Sequence, residues 1–285
     1  MVNVAVRRGW QMNRGELERA VLEGRYANAR QLAIEWLAAN PEDAETLGLL
    51  GAASLALGQY EESLRVTSHA IDLGLVNGMT LTNAGEACRR MGRLDEALNY
   101  FERALKFDNQ VAATHFNMGL LMREKGNAPL AEHYFRGALI LSPSMMQAHF
   151  ELGELYFDEG HIKEARQEYE IAVQDKPLEA RWSRRLGEVL LDSGSIRDAE
   201  AVLRESVAME SLSLEGLELL GKAQFELGYV SEAVKSLRRA ESLRRREGDA
   251  AGHTIVSARR TLLEDWCEAG GGTFKELAGE RWLTV

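Results

Sequence analysis

The side chains that could do chemistry in this sequence do not form a catalytic or metal-binding motif. Six histidines and two cysteines are spread over 285 residues, and the sequence contains no His-Glu-x-x-His, no Cys-x-x-Cys and no glycine-rich phosphate loop. His115 and His149 form a regularly spaced pair, but both fall on packing positions, so we interpret them as half-buried structural imidazoles. We therefore expect no catalytic residue, no metal site, no cofactor and no enzymatic activity.

Polar side chains recur instead at one fixed separation. Asn83 and Asn117 are 34 residues apart, and so are Arg89 and Arg123. An amide is both a donor and an acceptor, which suffices to hold a peptide backbone without reading its side chains. Two arginines side by side could clamp a carboxylate. The spacing predicts a polypeptide-binding surface if the intervening elements bring these side chains together.

The same separation governs most of the chain. One glycine recurs as Gly51, Gly85, Gly119, Gly153, Gly187 and Gly221, and a second as Gly24, Gly58, Gly92, Gly126, Gly160, Gly194 and Gly228. A register kept without insertion is typical of a repeat array. Each repeat holds two stretches with helical periodicity, and the second glycine joins them because it tolerates a positive φ. In the repeat around Gly126, Asn127 can cap the second helix, and Pro129 falls in its first turn.

Positions are counted here from the first residue of each 34-residue unit, for example from residue 112. Glycine at positions eight and fifteen (Gly119 and Gly126), alanine at position twenty (Ala131) and an aromatic residue at position twenty-four (Phe135) together resemble the tetratricopeptide repeat. The resemblance covers seven units, at residues 10–43, 44–77, 78–111, 112–145, 146–179, 180–213 and 214–247. It implies an all-α, right-handed superhelical α-solenoid of helix-turn-helix units. Residues 1–9 would be an N-terminal extension, 248–269 a capping helix, and 270–285 a tail with a short helix. This tail would dock on the array, occupy its groove or bind a partner.

In tetratricopeptide arrays, positions 2, 5 or 6, 9, and 12 or 13 of the first helices line a concave groove. Carried over by position, the resemblance implies these partner-binding candidates: Asn83, Glu86, Arg89, Arg90, Phe116, Asn117, Leu120, Arg123, Phe150, Glu151, Glu154, Arg181 and Arg185. The two asparagines resemble the asparagine ladder of O-linked N-acetylglucosamine transferases, with Phe116, Leu120 and Phe150 as an apolar floor. The alternative is that the asparagines are only solvated and the phenylalanines pack locally. The same stripe of the seventh unit holds Glu215, Glu218, Lys222 and Phe225, which are not among these candidates.

The carboxylate clamp of some chaperone-binding members of the family is not expected here. Arg181 and Arg185 match its last two positions. Phe116, Leu120 and Glu151 stand where the clamp requires lysine and asparagine side chains, and they cannot supply the same hydrogen bonds.

Composition narrows the classes of partner. The net charge of −10 makes nucleic acid an unlikely partner. No apolar run approaches eighteen residues, so we expect no membrane span and a cytoplasmic location.

The favoured function is a noncatalytic adaptor or scaffold that binds a peptide or helix of another protein, with assembly of a bacterial multiprotein machine as a family-based hypothesis. The alternatives are an RNA-binding repeat using arginines within 181–185 and 238–246, or a regulatory subunit of an enzyme carried on another chain.

Overall fold

A computed structural model describes residues 14–174, 179–247, 256–257 and 260–261. All regular structure in this part of the chain is helical. Residues 14–22 form α1. The helices that follow are α2 Tyr26–Leu37, α3 Ala44–Ala56, α4 Tyr60–Asp72, α5 Gly78–Arg90, α6 Leu94–Phe107, α7 Ala112–Glu124, α8 Ala128–Leu141, α9 Met146–Asp158, α10 Ile162–Val173, α11 Ala180–Asp192, α12 Ile196–Met209, α13 Leu214–Glu226 and α14 Val230–Glu247.

The helices keep the period of the sequence. From α3 onward, every first helix of a pair begins 34 residues after the previous first helix, and the second helices follow the same step. Adjacent helices pack in sequence order, as in α3 with α4, α5 with α6 and α7 with α8. The prediction of an all-α helical repeat fold is therefore confirmed.

The turn within each pair is closed by the predicted glycine. The seven glycines at position fifteen have φ between +72° and +79°, in the left-handed region, where a Cβ would meet the following carbonyl oxygen. After Gly126, the Asn127 side chain accepts a hydrogen bond from the Leu130 amide at 3.2 Å. Pro129 lies in the first turn of α8, so the sequence signals for this turn act as expected.

The glycine at position eight allows the two helices of a pair to approach closely. A Cβ added to Gly119 would lie 2.5 Å from Phe135 Cδ1, and one added to Gly153 would lie 2.6 Å from Tyr169 Cε1. Phe135 and Tyr169 are completely buried. The large side chain at position twenty-four thus fills the space that the glycine leaves, which is a matched packing arrangement.

The chain divides into two compact units, Met1–Ala148 and His149–Val285. In the first, α3 packs on α5, and α5 on α7, so successive first helices lie side by side. The buried hydroxyls of Thr82 and Thr114, 2.7 Å apart, join α5 to α7. In the second, α11 packs on α13 in the same way. Each unit is a stack of helical pairs, the α-solenoid arrangement.

Several predicted segments lie outside the described residues. These are the extension at 1–9, the start of the first repeat at 10–13, and the tail at 270–285. Of the predicted capping helix at 248–269, only 256–257 and 260–261 are described, and these residues are helical. The division into extension, repeats, cap and tail stays a prediction. Among the described helices, none is both long and apolar enough to cross a membrane.

Candidate functional site

The two asparagines singled out from the sequence lie on adjacent first helices of the first compact unit. Asn83 is on α5 and Asn117 on α7, both half-buried. Their side-chain amides make no hydrogen bond with any residue that the structure describes. The contact between Thr82 and Thr114 holds the two helices together just beside them. The site therefore presents two amides whose donors and acceptors are available to a ligand.

Apolar side chains accompany these amides. Met79 lies one turn before Asn83 on the same face of α5 and is 59% exposed. Phe116 and Leu120 on α7 are half-buried, and the Phe116 ring lies 5.7 Å from that of Phe135. Phe116 and Leu120 are predicted from the sequence to lie here; Met79 falls on the same stripe in the sequence but is not among the predicted partner-binding residues. A large exposed methionine next to half-buried apolar groups is typical of a contact surface.

Phe150 does not belong to this apolar floor. Its side chain is 1% exposed, and its ring stacks on that of Trp182 with centroids 5.3 Å apart and an interplanar angle of 14°. The Arg181 guanidinium lies 4.6 Å from the centroid of the Phe150 ring. The prediction that Phe150 forms part of the groove floor is wrong because Trp182 of the next repeat covers its ring. Phe225, on the corresponding stripe of α13, is also buried at 1% exposure.

Arg89 is not available as one arm of a carboxylate clamp. The side chain is buried, and it donates to both Glu86 oxygens at 2.7 Å and to Glu124. Burial alone would lower the pKa of Arg89, but these carboxylates outweigh that effect and raise it. The predicted pairing of Arg89 with Arg123 around a ligand is wrong because this guanidinium already has two carboxylate partners.

Arg90 and Arg123 lie on the same two first helices, α5 and α7. Arg90 is exposed and donates to the Tyr60 hydroxyl at 2.8 and 3.1 Å. Its guanidinium also lies over the Tyr60 ring, 5.3 Å from the centroid. Arg123 is half-buried on α7. Arg90 thus packs against Tyr60 of the preceding helical pair.

In the second unit, Glu154 and Arg185 belong to one hydrogen-bonded network. Glu154 is 7% exposed and accepts a hydrogen bond from the Tyr169 hydroxyl at 2.5 Å. Arg185 Nε lies 3.0 Å from the same carboxylate, and its Nη1 lies 3.0 Å from Glu188. Burial and the hydrogen bond to Glu154 raise the pKa of Tyr169. Glu151, beside this network, is half-buried.

A pocket of about 280 Å³ lies between α11 and α13 of the second unit. Its lining is almost entirely charged, consisting of Arg184, Arg185, Glu188, Glu215, Glu218, Leu219 and Lys222. All of these residues fall on the first-helix stripe that the family resemblance defines. Only Arg185 is among the residues predicted to bind a partner, because a single-sequence pattern does not show which stripe positions enclose a pocket.

His115, His149 and Cys88 have partners or surroundings within the fold. His115 Nε2 lies 3.0 Å from the Asn109 carbonyl oxygen, and His149 Nδ1 lies 2.6 Å from Glu168. Burial raises the pKa of the Cys88 thiol to about 11, so the thiolate that a nucleophile needs is scarce near neutral pH. Groups of three or more potential metal ligands do not occur among the described side chains.

Two models of one repeat family match the sequence. A tetratricopeptide repeat model matches residues 116–180, 150–195 and 184–250, and a TPR repeat model matches 85–126. A comparison with curated proteins finds no significant match.

Solved structures with the same fold come from several proteins. The APC/C hetero-tetramer Cut9–Hcn1 contains a chain similar to this one with a TM-score of 0.69 at 15% identity, over 86% of this chain and 48% of that one. PilF from Pseudomonas aeruginosa gives a TM-score of 0.62 at 19% identity, over 75% and 99%. A thermophilic TPR protein of Thermus thermophilus gives 0.55 at 25% identity, over 64% and 99%. The chain spans about half the length of the Cut9–Hcn1 chain, and the first two likenesses show the fold alone.

The family assignment follows from the models together with the geometry. The two models jointly cover residues 85–250, more than half of the chain. The helical pairs, their left-handed glycine turns and their 34-residue step agree with that match. The chain belongs to the tetratricopeptide-repeat family.

Proposed function

We propose that this protein is a noncatalytic adaptor or scaffold that binds a peptide or helix of a partner protein on its first helices, in the concave groove implied by the family. The repeat fold supports a protein-interaction role of this general kind. The observation that carries the specific proposal is the pair Asn83 and Asn117. Their amides have no hydrogen-bonding partner among the described residues, and they adjoin the exposed Met79.

The chemistry of this surface suits a polypeptide backbone. Each backbone unit offers one N–H donor and one C=O acceptor, and each amide side chain can bond to both. Two such side chains on adjacent helices would hold a segment at two points, largely independently of its sequence. Met79, Phe116 and Leu120 would then cover apolar side chains of the segment and exclude water. Specificity would come from other positions on the first helices.

No specific observation favours the RNA-binding alternative. Arg184 and Arg185 contact Glu215 and Glu188, and Arg181 lies over the Phe150 ring. Near the end of α14, Arg244 pairs with Glu218 at 2.7 Å, and Arg245 lies 3.9 Å from Glu241. A phosphate would have to compete with these carboxylates. The arginine-rich stretches therefore support the fold more directly than they support nucleic-acid binding.

Assembly of a bacterial multiprotein machine, a cytoplasmic location and a role as a subunit of an enzyme carried elsewhere stay hypotheses. They rest on the known roles of other tetratricopeptide-repeat proteins, and identifying the partner would test all three.

Affinity capture from the native host tests the proposal. Wild type should recover a partner, and Asn83→Ala with Asn117→Ala should recover about tenfold less, because several hydrogen bonds are lost from one interface. Asn99→Ala is the matched control, since Asn99 is exposed on the second helix α6. Circular dichroism should show equal helicity in all three proteins. Undiminished recovery by the double variant would contradict the assignment of this surface.

A further inference from the structure

The charged side chains of the pocket between α11 and α13 are not evenly paired. Arg184 Nη2 lies 3.1 Å from Glu215, and Arg185 Nη1 lies 3.0 Å from Glu188. Glu218 accepts from Arg244 of α14 at 2.7 Å, and both side chains of that pair are 20% exposed. Every carboxylate that lines the pocket therefore has a guanidinium partner.

Lys222 is the exception among these charges. It is half-buried on α13, one turn after Glu218. Within the described ranges, no carboxylate comes within 4.0 Å of its ammonium, and its Nζ is open to solvent. Glu226, one turn further along, is too far away to form an ion pair with it. Burial raises the pKa of that carboxyl, and the charge of Lys222 opposes the rise. The pocket thus contains a cation whose hydrogen-bond donors are not used by any described side chain.

We propose that this pocket binds one carboxylate of the partner polypeptide, with the Lys222 ammonium as the donor. This inference rests on the proposed function, because the partner must lie along the first helices to reach the pocket. An ammonium offers three hydrogen-bond donors, and a carboxylate accepts them in short, charge-assisted bonds. Leu219, which lines the same pocket, supplies an apolar contact for the methylene groups that carry the carboxylate.

The arrangement selects a single negative charge. Arg184 and Arg185 already neutralise glutamates, so Lys222 would be the only cation of the lining available to a ligand. A phosphate dianion or a second carboxylate would bring a further negative charge with no second cation of the lining to neutralise it, which disfavours binding. The volume of about 280 Å³ suits a side chain or a chain end rather than a cofactor, since cofactor pockets are commonly larger. This site differs from the two-carboxylate clamp, because Arg185 is held by Glu154 and Glu188.

Backbone amide NMR of the full chain, titrated with small probes, tests the inference. N-acetylglutamate methylamide carries one side-chain carboxylate, and N-acetylglutamine carries one terminal carboxylate. N-acetylglutamine methylamide is the neutral match, and inorganic phosphate is the dianion. The variants are Lys222→Gln, Lys222→Arg, which retains the charge, and Lys235→Gln as a matched control, because Lys235 is exposed on α14.

A carboxylate probe should shift amide signals of α11 and α13 saturably, and the neutral probe should not. Lys222→Gln should raise the dissociation constant about tenfold or more, whereas Lys222→Arg and Lys235→Gln should change it only a few-fold. Saturation by only one of the two carboxylate probes would support the site and identify its source as a side chain or a chain end. Equal binding of the neutral probe, tighter binding of phosphate, absence of saturable shifts or unchanged binding to Lys222→Gln would each overturn the inference. Asn83 and Asn117 play no part in these titrations, so failure here is distinguishable from failure of the proposed function.

Discussion

Single side chains on the first helices divide into those that the fold already uses and those that remain available. Arg89, Glu154 and Phe150 are buried against partners of their own unit. Asn83, Asn117 and Lys222 lack such partners among the described residues. A polar group that makes no intramolecular bond contributes little to folding but can contribute to binding, since binding only exchanges its water. We therefore expect a partner protein to contact Asn83, Asn117 and Lys222 rather than the side chains that are already paired.

The hydrogen bonds of one carboxylate, that of Glu62, predict how the stability of the first unit changes in acid. Arg30 of α2 donates to Glu62 of α4 at 2.7 and 3.0 Å, and the Ser54 hydroxyl donates to the same carboxylate at 2.8 Å. The hydrogen bond from Arg30, followed by the one from Ser54, holds the pKa of Glu62 below its usual range. A carboxyl with a depressed folded-state pKa stabilises the protein above its unfolded-state pKa. That contribution is lost as the pH falls through the folded-state pKa.

We predict that Glu62→Gln lowers the free energy of unfolding by about 1 kcal/mol at neutral pH. The difference from wild type should shrink below about pH 4, where the native carboxyl is protonated too. Urea unfolding from pH 7 down to the lowest pH at which both proteins are folded would measure it. Glu61→Gln, at an exposed neighbouring position, is the control. A deficit that is the same at every pH would show that this ion pair does not carry the effect.

Helical pairs depend on a small residue facing a large one. Gly119 of α7 meets Phe135 of α8, and Gly153 of α9 meets Tyr169 of α10. The ring fills the space where a Cβ would otherwise be, and it is completely buried there. Because this contact recurs at the same position in each pair from α5–α6 to α13–α14, it sets the separation of the two helices in those pairs.

We predict that Gly119→Ala destabilises the protein by about 1–3 kcal/mol, because the added Cβ overlaps the Phe135 ring in a closely packed interior. Gly15→Ala is the matched control. Gly15 lies exposed in α1, and a Cβ added there would have no atom within 4 Å, so the same substitution should stabilise the helix by roughly 0.5–1 kcal/mol. Denaturant unfolding of both variants measures these changes, and the same sign for both would refute this packing account.

Helices and turns could be predicted from the sequence, whereas side-chain contacts between repeats could not. The 34-residue step predicts the helical pairs and the glycine turns, because local periodicity and a positive φ depend on residues close in sequence. It does not predict that Trp182 covers Phe150 or that Glu124 takes up Arg89, since each partner lies one repeat away and its reach depends on its rotamer. The first-helix stripe includes Lys222, but its lack of a partner emerges only from the side-chain pairing around it.

The molecule as a whole offers a candidate surface on each of its two compact units. The first unit carries the asparagine pair on α5 and α7, and the second carries the Lys222 pocket between α11 and α13. In repeat proteins each repeat is stabilised mainly by its neighbours, so exposed first-helix positions are free to vary for binding without loss of the fold. The central claim is therefore that partners contact the first helices and not the second.

Photo-crosslinking in the native host tests that claim most directly, because the crosslink itself captures a partner that has not been identified beforehand. A photoreactive phenylalanine analogue would replace Met79 on α5 in one protein and Glu102 on α6 in another, both exposed and both in the first unit. We predict a discrete crosslinked protein from position 79 and none from position 102. A crosslink at position 102 with none at position 79 would contradict the account.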